Sequence, residues 1–583
     1  MDERMIPLMI DGIKVEVPEG TTVLEAAKKA HVKIPTLCFL KDVNEIGACR
    51  MCVVDYGARA LQAACVLQVA PNMIIRTNTP EVREARRTVL ELILSNHDKK
   101  CLSCVRSQNC ELQKLSVELG IENGDEFKGE QNTYDVDNVS PCVVRDNNKC
   151  ILCRRCVSTC IDAQGCGVIG PVQRGFKTSI ESPWNLHLND MACIGCGQCI
   201  TNCPVGALYE KEQIDIVWDM LADKDLHVVV QTAPAVRAAL GEEFGLPMGT
   251  NVTGQMAEAL RRMGFDKVFD TNFGADLTIM EEATELIDRL KNGGVLPMIT
   301  SCSPGWVKYC ETYHPDFIPN LSSCKSPHEM MGAVIKSYYA QTMNIPIDKL
   351  RVVSVMPCTA KKFEAKRPEL AANGMPDVDA VITTRELAKM IKTAGIDFPS
   401  LPEGTFDPLL SEASGAGVIF GATGGVMEAA LRTAYETLTG KELQKLDFSD
   451  VRGTQGIKEA SVEIGNLKFN VAVVNGTANA GQLLEQVRSG KKNYQFIEVM
   501  GCPGGCVTGG GQPVVSAQTR LTVDPRKVRA GALYQADAGM KLRKSHENPS
   551  IKKLYEDFLE KPNSHKAHYL LHTHYTKRPK YSK

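Results

Sequence analysis

Cys150-Ile151-Leu152-Cys153-Arg154-Arg155-Cys156-Val157-Ser158-Thr159-Cys160 is answered downstream by Cys193-Ile194-Gly195-Cys196-Gly197-Gln198-Cys199-Ile200-Thr201-Asn202-Cys203-Pro204. This doubled Cys-x2-Cys-x2-Cys-x3-Cys run decides how the chain is organised. Three close thiolates can hold three corners of an iron-sulfur cube, while the fourth cysteine crosses to the other cube. Cys150, Cys153, Cys156 and Cys203 therefore group into one site, and Cys193, Cys196, Cys199 and Cys160 into the other. Two [4Fe-4S] clusters are implied. Structural zinc also accepts four thiolates, but the doubling and the trailing Pro204 favour iron-sulfur.

Upstream, Cys38-x10-Cys49-x2-Cys52-x12-Cys65 lies on a small β-rich module. Asp11-Gly12 signals a hairpin between two short strands in residues 7–17, and Thr22-x-x-Glu25 is a capping box opening a helix. Four cysteines on such a β-grasp-like module suit a [2Fe-2S] centre, with zinc as the competing occupant. Ile74-Ile75-Arg76 reads as a strand, and Thr79-Pro80-Glu81 starts a helix with Val89, Leu90, Ile93 and Leu94 at helical spacing. That helix delivers His97, which with Cys101, Cys104 and Cys110 forms a set of three thiols and one imidazole. In isolation this is a zinc knuckle; between iron-sulfur modules it is expected to hold a third [4Fe-4S] cluster. Residues 111–140 read as a polar connector.

The 583 residues suffice for several domains, and 43% hydrophobic content can build real cores. Basic and acidic residues, 67 and 69, nearly cancel, so no field argues for nucleic acid or an anionic membrane as partner. The start, Met1-Asp2-Glu3-Arg4, lacks the character of a signal peptide, and no apolar run approaches bilayer length. A cytoplasmic protein is expected. There, 23 cysteines bind metal more readily than they form disulfides.

From about residue 211 apolar strands alternate with amphipathic helices, as in Leu226–Val230 and Arg351–Val355, which reads as an α/β domain with strands buried on both faces. The chain turns basic from about 521 and ends in an amphipathic helix, 551–559, and a solvated tail carrying His565, His568, His572 and His574. Gly415-Ala416-Gly417 misses the dinucleotide fingerprint, so nicotinamide and flavin chemistry is expected on another subunit. Cys142, Cys166, Cys310 and Cys324 fit no cluster set and read as small buried hydrophobes.

Three further motifs are too far apart for a ferredoxin: Thr300-Ser301-Cys302-Ser303-Pro304-Gly305-Trp306, then Met356-Pro357-Cys358-Thr359-Ala360-Lys361-Lys362-Phe363-Glu364, then Glu498-Val499-Met500-Gly501-Cys502-Pro503-Gly504-Gly505-Cys506-x2-Gly509-Gly510-Gly511. In order and flanking residues they resemble the three signatures of [FeFe]-hydrogenases. With the cysteine ladder the resemblance covers nearly the whole chain, and it is similar to the catalytic subunit of multimeric NAD(P)-linked, often electron-bifurcating, hydrogenases. The first two hundred residues also resemble the N-terminal part of a complex I large subunit.

The resemblance implies reversible oxidation of H2 at an H-cluster, a [4Fe-4S] cube joined through a shared thiolate to a di-iron unit carrying CO, cyanide and azadithiolate. Cys358, Cys502 and Cys506 would be its ligands, with Cys506 bridging. Lys361 would hydrogen-bond a cyanide, and Met356 would pack on the di-iron unit. Ala233, Pro234, Phe420 and Met500 would line the pocket. Cys302, Glu282, Ser322 and Glu285 match the family's proton route, with Arg289 near its mouth. Glu282 and Glu285 stand three apart and so share a helix face.

One position departs from the family, whose first signature has two adjacent cysteines: the second position here is Ser303. Either Cys302 ligates the cube, or Ser303 supplies an oxygen ligand and Cys302 keeps the relay. Iron-sulfur chemistry prefers thiolate, so Cys302 is expected as the ligand.

An α/β multidomain architecture follows: a [2Fe-2S] ferredoxin-like domain (1–78), a [4Fe-4S] domain with one histidine and three cysteine ligands (79–140), a two-[4Fe-4S] ferredoxin domain (141–210), an H-cluster domain (211–520) and a small-subunit-like C-terminal segment (521–583). Expected partners are a flavin- and NAD(P)-binding iron-sulfur subunit, a small [2Fe-2S] subunit and ferredoxin. The alternatives are a complex I-like electron-transfer subunit without catalysis, and a hydrogen sensor.

Overall fold

Asp11 and Gly12 both take positive φ, 47° and 84°, and turn strand Met5–Ile10 back onto Ile13–Pro18 as an antiparallel hairpin. This is the turn geometry that matches strand twist. Ile74–Ile75 adds a parallel third strand, and helix Val23–Lys29 begins at the Thr22–Glu25 capping box. The computed structural model describes residues 4–581 apart from 373, 444 and 465–466. Residues 1–3, part of the start read against a signal peptide, lie outside them.

Helix Pro80–Ser95 starts with Thr79 as its N-cap and proline at N1, and buries Val82, Leu90 and Leu94. The segment read as a connector contains a helix, Glu111–Glu118, which buries Leu112 and Leu115. Its apolar spacing is too short to stand out in a polar stretch. The Glu111 carboxylate takes both amino groups of buried Arg155, at 3.0 and 2.9 Å, and so ties this helix to the ferredoxin-type module.

The large domain is built on two four-stranded sheets. The first is wholly parallel, ordered Lys267–Asp270, His227–Thr232, Leu350–Met356, Ala380–Thr383. The second is ordered Met298–Ile299, Phe496–Met500, Leu467–Asn475, Ile457–Ile464, and only its last pair is antiparallel. Strand Leu350–Met356 is buried at all but one position, as a sheet covered by helices on both faces requires.

The C-terminal segment departs from a single helix and a solvated tail. Helix Pro525–Gly539 has Asp524 as its N-cap and proline at N1, a start signal present in the sequence. The expected helix is a helical turn, Pro549–Leu554, continued by a π-turn, Tyr555–Leu559, and a third helix runs His565–Leu571. His565, His568 and His574 are exposed, but His572 is buried. Its backbone bridges to Cys324, Nδ1 lies 2.8 Å from Ser323 Oγ, and Nε2 lies 3.2 Å from buried Glu281. Among the described residues no helix is long and apolar enough to cross a membrane.

Candidate active site and metal centres

Four strands of the two sheets end at one place. His227–Thr232 runs out into Ala233-Pro234, Met298–Ile299 into Thr300–Ser303, Leu350–Met356 into Pro357-Cys358, and Phe496–Met500 into Gly501-Cys502. Parallel strands present their carboxyl ends to a crevice, where α/β proteins place their ligands. Here the crevice is a cavity of about 80 Å³. Cys302, Ser303, Cys358, Lys361, Cys502 and Cys506 line it, and Ala233, Pro234, Met356, Phe420 and Met500 form its apolar walls.

The cavity holds one fixed positive charge. Lys361 Nζ donates to the Cys302 carbonyl at 3.1 Å and to Glu364 Oε2 at 2.7 Å. Burial works against the ammonium, but the Glu364 carboxylate more than offsets it, so Lys361 stays charged. The same Glu364 oxygen lies 2.7 Å from His328 Nε2 and accepts from Ser326 Oγ at 3.0 Å. His328, 1% exposed, also lines the cavity. Sequence reasoning passed over His328 and gave Glu364 no role; Pro327 at the first position of helix Pro327–Val334 was the available signal that His328 sits at a helix start.

Glu498, fully buried, accepts Gly424 N at 2.6 Å and Met427 N at 2.7 Å, which pins the turn after Phe420 to the third signature. Helix Thr271–Asn292 runs from the cavity toward the surface. Thr271 and Ala275 line the cavity, and Glu282 and Glu285 follow along it, both buried. Burial, and then the charge of Glu285, pushes the Glu282 carboxyl up to about 8. The Ser322 hydroxyl donates to Glu285 Oε2 at 3.0 Å, and Arg289 Nη2 donates to Glu285 Oε1 at 2.6 Å. The Cys302 thiol is raised by burial and then by Glu282 and Cys506.

The other cysteine groups also converge. Cys150, Cys153, Cys156 and Cys203 line one small cavity. The Cys199 thiol is raised by burial and then by Cys193 and Cys160, and the Cys196 thiol is raised by burial and then by Cys199 and Cys502. Cys38 and Cys49 approach so closely that the backbone N–H of each donates to the other's sulfur, at 3.3 and 3.4 Å. Cys52 and Cys65 are side-chain partners. His97 is buried, its Nδ1 has no hydrogen-bond partner, and burial depresses it to about 4, which keeps the imidazole neutral.

These groups fit metal clusters. All 23 cysteines are free thiols, and the grouped ones are mostly pushed upward by burial and by one another. Packing several thiols around a cavity is unfavourable unless a cation makes them thiolate ligands. An orphaned neutral imidazole nitrogen such as His97 Nδ1 likewise fits a metal. The ferredoxin-type module touches the segments that carry the second and third signatures: Thr359 Oγ1 donates to Gly195 O at 2.7 Å, and Gln198 Nε2 donates to Thr508 O at 2.9 Å.

Known family models match most of the chain. Residues 226–510 match the iron only hydrogenase large subunit, C-terminal domain, and residues 523–578 the iron hydrogenase small subunit. Residues 3–80 match a 2Fe-2S iron-sulfur cluster binding domain, 86–125 the NADH-ubiquinone oxidoreductase-G iron-sulfur binding region, and 149–207 a 4Fe-4S dicluster domain. The chain is 51% identical to the NADP-reducing hydrogenase subunit HndD of Solidesulfovibrio fructosivorans, over 98% of this chain and 99% of that one. It is 45% identical to iron hydrogenase 1 of Clostridium pasteurianum, over 98% and 100%. A solved structure of a variant of the [FeFe]-hydrogenase HydA1 from Chlamydomonas reinhardtii superposes with a TM-score of 0.57 at 44% identity, covering 63% of this chain and 99% of that one. Motifs, cavity and relatives agree, and the chain belongs to the [FeFe]-hydrogenase family.

Proposed function

We propose that the chain interconverts dihydrogen with protons and electrons in its large domain and passes the electrons through its N-terminal iron-sulfur domains to partner subunits. The observation that carries this reading is the apolar-walled cavity where Cys358, Cys502 and Cys506 meet Lys361, with a line of buried carboxylates leading away. Cys358, Cys502 and Cys506 would hold the H-cluster, with Cys506 as the shared thiolate. Lys361 would donate to a cyanide, and Met356, Met500, Phe420, Ala233 and Pro234 would exclude water and fix the ligands' orientation. When bound, the H-cluster supplies an open iron acting as Lewis acid toward dihydrogen, and the other clusters supply one-electron carriers.

The protein's own part is to move the proton. The Cys302 thiol takes it at the cavity wall as it passes its own proton on to Glu282, which is buried and poised near 8. The Ser322 hydroxyl, which donates to Glu285 Oε2 at 3.0 Å, carries it on from Glu282 to Glu285, and Arg289 anchors Glu285 at the outer end.

One [2Fe-2S] cluster would sit on Cys38, Cys49, Cys52 and Cys65, and three [4Fe-4S] clusters on the His97 set and the two crossed sets. The chain's 51% identity to an NADP-reducing hydrogenase subunit supports partners that bind flavin and NAD(P), a small [2Fe-2S] subunit and ferredoxin. A cytoplasmic setting, whose reducing poise preserves free thiols, suits the many cysteines of this chain. Anaerobic expression with the di-iron maturation factors tests the reading. Infrared bands of CO and cyanide, together with hydrogen-dependent dye reduction, are expected. Their absence from fully matured protein would sink it.

A further inference from the structure

Cys302 and Ser303 stand side by side on the cavity wall, yet they face different groups. Ser303 occupies the N-cap position of helix Pro304–Tyr313, where a serine ordinarily accepts an N–H of the first turn. Here it makes no such bond. Its Oγ instead accepts Gly501 N at 3.1 Å, from the residue immediately before Cys502. The hydroxyl is therefore turned away from its own helix and toward the loop that carries two of the four cavity thiols. Cys302 packs instead in the cluster that contains Ala275, Ile279 and Phe420, on the side of the helix that bears Glu282.

We propose that Ser303 fills the fourth corner of the H-cluster cube beside Cys358, Cys502 and Cys506, which leaves the Cys302 thiol free to exchange protons with Glu282. This rests on the hydrogenase reading. On binding, the serine hydroxyl loses its proton to solvent and an Fe–O bond forms; no electron moves. The Gly501 N–H already aimed at Oγ stabilises the alkoxide charge, as a donor to an anionic oxygen does. Oxygen is a harder ligand than sulfur, so this corner is more labile than a thiolate corner and shifts the cube's potential.

The test uses full-length chain produced anaerobically without the di-iron maturation factors, enriched in 57Fe, and read by iron and sulfide content, Mössbauer and EPR difference spectra. Cys302→Ala is expected to keep the wild-type iron content and spectra and, after maturation, to lose hydrogen/deuterium exchange by at least a hundredfold. Ser303→Cys is expected to keep the iron content and change the spectrum of one cube, and Ser303→Ala to lose iron from that cube. Loss of the cube in Cys302→Ala, with Ser303→Ala spectroscopically unchanged, would overturn the proposal. A wild-type protein with no cluster beyond those of the ferredoxin-type domains would overturn the hydrogenase reading itself.

Discussion

The Gly510 backbone lies against Cys196 so closely that a Cβ at Gly510 would overlap the Cys196 carbonyl oxygen and crowd Gly197. This contact joins the loop of the second ferredoxin-type run to the third signature of the large domain. Gly510→Ala must push the two apart. Hydrogen/deuterium exchange, which needs only the large domain, is expected to survive, while hydrogen-dependent reduction of an external dye falls at least about tenfold. Equal loss of both rates would show that the close approach serves folding of the cavity rather than electron passage.

Glu282 is raised from 4.5 to about 8 by burial first and Glu285 second. As the inner carboxyl of the relay it should be indispensable: Glu282→Gln is expected to lower hydrogen production by about 10²–10⁴-fold, the range for a positioned proton-transfer group. The wild-type rate should fall above pH 8, as the carboxyl loses the proton it donates. Stability carries the same sign. The folded chain binds a proton that the unfolded chain releases between about 4.5 and 8, so this contribution is complete below 4.5 and is lost as pH rises through 8. Glu282→Gln should flatten that slope in denaturant titrations at several pH values.

Spacing made the ladder legible, because cluster ligation fixes cysteine separations locally: Cys150 to Cys160 and Cys193 to Cys203 could be grouped by rule before any fold was known. The hairpin at Asp11-Gly12 and the Thr22–Glu25 capping box were equally local. The cavity was not local. Thr300, Pro357 and Gly501 follow strands far apart in the chain, and only the order of the two sheets brings them to one crevice. The family's motifs supplied what periodicity could not. His328 and Glu364 join only across that crevice, and His572 is buried because residues 571–573 pair with 323–325, a long-range contact with no signature in a histidine-rich tail.

Lys361 and Glu364 form a buried pair 2.7 Å apart, and removing one partner strands the other. Lys361→Met leaves Glu364 with His328 and Ser326 but without its main counter-charge, a loss of about 3–5 kcal/mol for a buried pair broken on one side. The Glu364 carboxyl lies well below its ordinary value: burial opposes ionisation, but Lys361, then His328, outweigh it. Its stabilisation is therefore present above the unfolded value of 4.5 and is lost as pH falls toward the folded one. In Lys361→Met the folded value moves up toward the unfolded one, so that acid-side loss should shrink, as measured by denaturant midpoints at several pH values. An unchanged midpoint near neutrality would mean that His328 alone supports Glu364.

His572 distinguishes a structural strap from a solvated tail. Its two ring nitrogens meet Ser323 and Glu281, and Glu281 is 0% exposed. His572→Phe fills the space but leaves Ser323 Oγ without its imidazole partner, while Glu281 Oε2 keeps only the Asn563 N–H at 2.8 Å. An unsatisfied buried polar group costs about 1–3 kcal/mol, more when charged. Exposed His574 provides the control, since surface substitutions usually stay within about 0.5 kcal/mol. The expected result is a thermal midpoint lowered by a few degrees in His572→Phe and unmoved in His574→Phe. Because Ser323 N also donates to Glu285 at 3.1 Å, loosening this strap should slow proton exchange as well. A His572→Phe protein that loses stability without slowing exchange would separate the strap from the relay.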